Sequence, residues 1–182
     1  EFAMAITTTK SAYRKGIVDA LPFVLVIIPF ASLFGLLATE AGLNVFETLT
    51  FSVVVIAGAA QFTALQLLQE DVPTAIVLAS ALAVNLRMAM YSASLTPWIG
   101  GAPVWQRALA AYMTVDQSYV AAMTQYERAP EMTVPQRMAY FFGTVTPVVP
   151  LWYIFTLVGA MVGSSVPDSW AWILRFRSPS LL

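Results

Sequence analysis

Two opposite charges stand in the middle of long apolar stretches: Arg87, about a dozen residues from either end of the stretch 74–99, and Asp116, halfway between Arg107 and Glu127. A charge at the centre of a membrane helix costs about 2.5–3.5 kcal/mol on insertion scales, so each needs a partner. Such residues commonly mark a pathway or a binding site. Each is the natural counter-charge of the other, since pairing offsets much of their desolvation, and a carboxylate in that setting can also carry a proton. The structural alternative is an arginine that ties helices together through carbonyls, or a pair that only neutralises itself.

Other polar residues gather near these two. On a regular helix Tyr91 and Ser94, at i+4 and i+7, fall on one stripe with Arg87, whereas Asn85 and Ser92 fall on another face. Two polar faces at one depth mean burial on both sides or local unwinding near Asn85. Tyr112 and Tyr119 lie at i−4 and i+3 from Asp116 and share its face on an unbroken helix. The string Gly58-Ala59-Ala60-Gln61-Phe62 puts small residues and an amide halfway along another apolar stretch, where backbone can approach a neighbour or a substrate. Small residues in membrane helices also simply pack, but Gln61 needs hydrogen-bond partners in either case.

The elements that hold these residues follow from composition. The chain is 59% hydrophobic and 10% charged, whereas soluble domains are about 45–50% apolar and about 25% charged. So few charges cannot cover a soluble surface, and lipid must. The net charge of −1 comes without any basic run, which sets nucleic acid aside. There is no Cys and no His, which removes disulfides, thiolate and imidazole metal sites and the usual catalytic bases. No metal, cofactor or enzymatic activity is expected. Glu1-Phe2-Ala3 read as residues added ahead of a natural start at Met4. Lys10, Arg14 and Lys15 before an apolar run resemble a signal peptide, but the run is too long and lacks a cleavage site, so it reads as a retained first span.

A hydrocarbon core of about 30 Å needs about 20 apolar helical residues. Five windows qualify, at 17–38, 46–68, 74–99, 108–126 and 138–162. The expectation is an all-α integral membrane protein, a polytopic bundle of about five spans over 17–163, with a short cytoplasmic segment before it and a tail at 164–182. Lys10, Arg14, Lys15, Arg128 and Arg137 fall on one side, against Arg107, Arg175 and Arg177, which favours a cytoplasmic N-terminus. Most tryptophans lie near span ends, as interfacial aromatics do, and Trp152 is the exception. Pro22 and Pro29 in the first window, and Pro147 and Pro150 in the fifth, are expected to kink or break their helices, although proline is also common in ordinary membrane helices. A short internal echo, with Gly35 and Gly159 in similar surroundings, fits the repeats of secondary transporters.

Gly58-Ala59-Ala60-Gln61-Phe62, then Asn85-Leu86-Arg87 leading to Tyr91-Ser92, then Thr114-Val115-Asp116-Gln117, between about Arg14 and Trp172, resembles the AzlC family of bacterial branched-chain amino acid permeases. The resemblance implies a subunit of the bacterial inner membrane that exports valine, leucine, isoleucine, methionine or similar amino acids. It also implies a small membrane partner of the AzlD or YgaH type, and it points to Gln61, Asn85, Arg87 and Asp116. Met88 and Gln117 stand where family members often have His and an acidic residue, which puts a proton step there in doubt. The family continues in apolar sequence beyond the region of Trp170, so the ending Arg175 to Leu182 reads as truncated or altered. A zwitterion suits the expected mid-membrane site: carboxylate against Arg87 or a half-helix N-terminus, ammonium against Asp116 or free carbonyls, side chain against Phe62, Met88 or Met90. A passive channel and a non-transporting scaffold are the rival readings, and a homo-oligomer is compatible with all of them.

Overall fold

Seven helices and no strand make up residues 8–165, the part of the chain described by a computed structural model. The expectations attached to Glu1-Phe2-Ala3, to Trp170 and Trp172, and to the tail lie outside the described residues. The helices are α1 Thr9–Glu40, α2 Val45–Val54, α3 Gly58–Gln69, α4 Thr74–Ile99, α5 Val104–Met113, α6 Asp116–Arg128 and α7 Val134–Ser165. Three of them, α1, α4 and α7, are long and apolar enough to cross a bilayer alone.

The breaks fall elsewhere than the prolines. The window 46–68 divides into α2 and α3 at Val55-Ile56-Ala57, and 108–126 divides into α5 and α6 at Thr114-Val115. Pro22 and Pro29 sit inside an unbroken α1, and Pro147 and Pro150 inside an unbroken α7. A proline inside a helix costs about 3 kcal/mol in isolation, but α1 and α7 are each other's main packing partner and both continue past their prolines. The two breaks follow β-branched runs, Val53-Val54-Val55-Ile56 and Thr114-Val115, which favour extended backbone, and Gly58 and Asp116 then open the next helices. Val55 (φ −127°, ψ 92°) and Val115 (φ −131°, ψ 165°) are both extended.

The seam between α1 and α7 is built on glycine. A Cβ at Gly16 would strike the Tyr140 carbonyl, one at Gly35 the Thr156 carbonyl, and one at Gly159 the Ser32 carbonyl, so the two backbones are in contact. The pairings rise together, 16 with 140–143 and 35 with 156–160, so α1 and α7 run parallel. Gly35 and Gly159, the two glycines of the internal echo, thus meet in this seam. At one end Asp19 accepts from Lys15 (2.8 Å) and from the buried Tyr140 hydroxyl (2.7 Å).

α4 is much less enclosed. Only 6% of its apolar window is buried, against 39% for α7, and Leu78, Leu82, Leu86 and Met90 form an outward stripe at four-residue spacing. Met90, at 71% exposed, therefore belongs to the outer surface and not to the expected site. The end of α4 is tied down by Arg137, which donates to the Trp98 and Pro130 carbonyls (3.2 and 2.6 Å) and lies over the Trp98 ring.

Candidate functional site

The two breaks meet at one cavity of about 510 Å³. Its walls are Val26, Ile27 and Phe30 of α1, Ile56 to Ala59 and Phe62 at the first break, Arg87 and Met88 of α4, Val115 to Gln117 at the second break, and Val148 and Trp152 of α7. Irregular backbone at membrane depth is tolerated where it is enclosed by protein or lines a cavity, and both breaks meet that condition.

Arg87 and Asp116 are joined across this cavity, Arg87 Nη1 to Asp116 Oδ2 at 2.9 Å. Arg87 Nε and Asp116 Oδ1 are buried and have no hydrogen-bond partner among the described residues. Tyr91 lies within electrostatic reach of both charges, and its ring stacks on Tyr119 with centroids 4.1 Å apart. The Tyr119 hydroxyl pairs with Ser94 Oγ at 3.1 Å. Tyr91, Ser94 and Tyr119 thus join α4 to α6 one turn from the ion pair, and the stripe through Arg87, Tyr91 and Ser94 faces α6.

Tyr112 does not share a face with Asp116, because the helix is interrupted between them at Thr114-Val115. Its hydroxyl donates to the Val53 carbonyl (2.6 Å) and lies 3.0 Å from the Tyr153 hydroxyl, so it braces the first break from the second. Gln61 also braces the first break. It is fully buried, and its Nε2 donates to the Val55 carbonyl (2.6 Å) and to Ser52 Oγ (3.2 Å), which in turn pairs with Thr156 of α7. Gln61 and Tyr112 thus satisfy the Val55 and Val53 carbonyls at the end of α2. Asn85 lies on α4, which runs unbroken past it, so the local unwinding does not occur. It is not part of the cavity wall, and its Oδ1 has no partner among the described residues. Gly58 opens α3 directly at the cavity.

Sequence reasoning passed over Trp152, noting only that it sits away from the span ends. It is 9% exposed, lines the cavity, and its indole Nε1 has no hydrogen-bond partner among the described residues. A tryptophan N–H at mid-span was the available signal, since a buried indole usually finds an acceptor. Phe30 meets Phe62 edge-on at 5.9 Å, and Phe62 meets Phe34 at 5.8 Å, giving the cavity an aromatic wall. A cation, an anion and the positive ends of two helices therefore converge on an otherwise apolar space.

The family description AzlC protein matches residues 22–166, a stretch that contains both breaks and every residue of the cavity wall. The chain belongs to the AzlC family. This AzlC chain is similar to the inner membrane protein YgaZ of Escherichia coli strain K12, with 28% identity over 176 residues, covering 94% of the chain and 71% of that protein. It is also similar to an uncharacterized membrane protein of Archaeoglobus fulgidus, 39% identical over 85 residues, covering 46% of the chain and 38% of that protein. No solved structure matches the AzlC chain. Membrane relatives, family and three spanning-length apolar helices agree that it is an integral membrane protein.

Proposed function

We propose that this AzlC-family chain is the membrane-embedded large subunit of a secondary transporter that exports apolar amino acids such as valine, leucine, isoleucine or methionine. The observation that carries the reading is the Arg87–Asp116 pair at the meeting point of two broken helices, in a cavity with apolar walls. A zwitterionic head needs one partner of each sign, and the aliphatic side chain needs a dry surface such as that of Phe30, Phe62 and Met88.

In this reading α2 with α3, and α5 with α6, are each one interrupted unit, and the parallel course of α1 and α7 fits an odd number of crossings. In the same reading the N-terminus lies in the cytoplasm of a bacterial cell, supported by the one-sided bias of Lys10, Arg14, Lys15, Arg128 and Arg137. A small membrane subunit of the AzlD or YgaH type completes the transporter, and the substrate crosses chemically unchanged.

Counterflow in liposomes tests the proposal. Unlabelled leucine trapped inside should drive transient uptake of labelled leucine above equilibrium, as a carrier does. Flux without counterflow identifies a channel, and no flux even with the small subunit present leaves a scaffold.

A further inference from the structure

The parallel pair α1 and α7 gives the bundle a direction. Both start at one end, the basic end, where Lys10, Arg14, Lys15 and Arg137 lie, and both finish at the far end. α2 starts at the far end, where the Leu43 N–H bonds the Ala38 carbonyl (3.1 Å), and descends until its break meets Ile27, Phe30 and Trp152 at the cavity. A crossing would carry α3 onward to the first turns of α1. α3 turns back instead: Gly58 stands beside Trp152, Phe62 meets Phe30 and Phe34, and Leu65 packs with Phe34 and Ala38. The connection 70–73 from α3 to α4 therefore lies at the far end again.

α5 and α6 do the same from the opposite side. α4 ends at the basic end, where Arg137 of α7 bonds the Trp98 carbonyl (3.2 Å). α5 then lies back along α4, with Arg107, Ala111 and Thr114 sharing a small cavity of about 180 Å³ with Gly100, Thr96 and Ser92. α6 retraces that distance, because its contacts with α4 rise in the same order: Asp116 with Arg87 (2.9 Å), Tyr119 with Tyr91 (ring centroids 4.1 Å) and Ser94 (3.1 Å), and Tyr126 with Trp98 (ring centroids 5.9 Å). The Tyr126 hydroxyl donates to the Arg137 carbonyl (2.7 Å), so α6 finishes beside the start of α7. The lengths agree, since helices of 10, 12, 10 and 13 residues rise about 15–20 Å each, little more than half of a hydrocarbon core of about 30 Å.

We infer that the chain crosses the bilayer three times, by α1, α4 and α7, and that α2 with α3 and α5 with α6 are two re-entrant hairpins that enter from opposite faces and meet tip to tip at the cavity. This replaces the expected five crossings with three, and it confines non-helical backbone at mid-membrane to two tips that line the cavity. The charges give independent support. Five crossings would put Arg107 on the face opposite Arg128 and Arg137. With three, every Lys and Arg among the described residues except Arg87 lies at the basic end, while the far end holds Glu40, Glu47, Glu70 and Asp71 and no described Lys or Arg. Such an excess of Lys and Arg marks the cytoplasmic face, so α5 with α6 is the cytoplasmic hairpin and α2 with α3 the outer one. On the transport reading above, each face of the membrane contributes one hairpin to the site, Gly58 from outside and Asp116 from the cytoplasm.

The chain contains no cysteine, so single cysteines report the topology directly. Glu40→Cys and Glu131→Cys, both at exposed positions, mark the two faces when a membrane-impermeant maleimide is applied to the full chain in intact cells and in inverted membrane vesicles. Glu70→Cys should label from the same face as Glu40→Cys, and Gly101→Cys from the same face as Glu131→Cys, with labelling lost when the reagent is confined to the other face. Gln69→Cys and Val104→Cys, also exposed, stand in for either variant that fails to accumulate. Five crossings require the opposite pairing, so Glu70→Cys labelled with Glu131→Cys, or Gly101→Cys labelled with Glu40→Cys, overturns the hairpin at that position. The outcome does not depend on transport: hairpin labelling together with absent counterflow would remove the transport reading and leave the topology standing.

Discussion

An arginine half-way through a lipid-spanning helix must find an anion, a set of carbonyls or water, and that requirement holds whatever the fold around it. For that reason Arg87 and Asp116 could be paired from sequence alone, and they lie 2.9 Å apart. Arg87→Leu or Asp116→Leu alone should lower folded yield and thermal stability more than the two together, because each single change strands a charge. A double-mutant cycle read by thermal unfolding in detergent should give a coupling of about 1 kcal/mol or more, and zero coupling would deny the interaction. All three variants should lose amino acid flux, and flux retained in a well-folded double variant would leave the pair structural only. Tyr112 shows the limit of the same reasoning, since a shared helical face exists only where the helix continues. As a brace on the Val53 carbonyl it should matter to stability and not to substrate: Tyr112→Phe is expected to cost about 1 kcal/mol while leaving leucine affinity unchanged. A loss of affinity without loss of stability would return Tyr112 to the site.

At the scale of elements, the three spanning-length helices α1, α4 and α7 were legible because lipid imposes length and hydrophobicity, but the interruptions of the windows 46–68 and 108–126 were not. Proline carries a strong local signal, and in α1 and α7 it is overridden by a long glycine-lined seam that no local window can register. The breaks at Val55-Ile56-Ala57 and Thr114-Val115 rest on mild β-branched preferences that become decisive where side chains satisfy released carbonyls: Gln61 and Tyr112 bond those of Val55 and Val53 at the first break, and Thr114 and Ser118 bond those of Ala110 and Val115 at the second. Gln61→Leu should therefore destabilise the protein by about 1–3 kcal/mol, by leaving the part-buried Val55 carbonyl unpaired. Gly159→Ala should cost about 1–3 kcal/mol as well, by pushing α7 away from the Ser32 backbone. Pro147→Ala should leave stability unchanged or raise it, since the helix there is already continuous. Thermal unfolding of the three variants side by side checks the ranking, and a Pro147→Ala variant more damaged than Gln61→Leu would contradict it.

Considered whole, the protein divides into a tightly joined pair, α1 with α7, and a peripheral α4 that contributes Arg87 to the site from a helix with little protein around it. Composition made the membrane class plain, but one chain's composition does not report what stands beside an open helix face. The two-subunit proposal has a measurable consequence here. A small partner that covers surface on the large subunit binds the folded form and not the unfolded one, so it must raise apparent stability in proportion to its occupancy. Co-expression with a small membrane protein of the AzlD type should yield a complex that survives mild detergent, with the large subunit unfolding at higher temperature than it does alone. Counterflow of leucine should rise with it, because a better-held α4 keeps Arg87 on Asp116. Equal unfolding temperature and equal flux with and without the small protein would show that this chain works by itself.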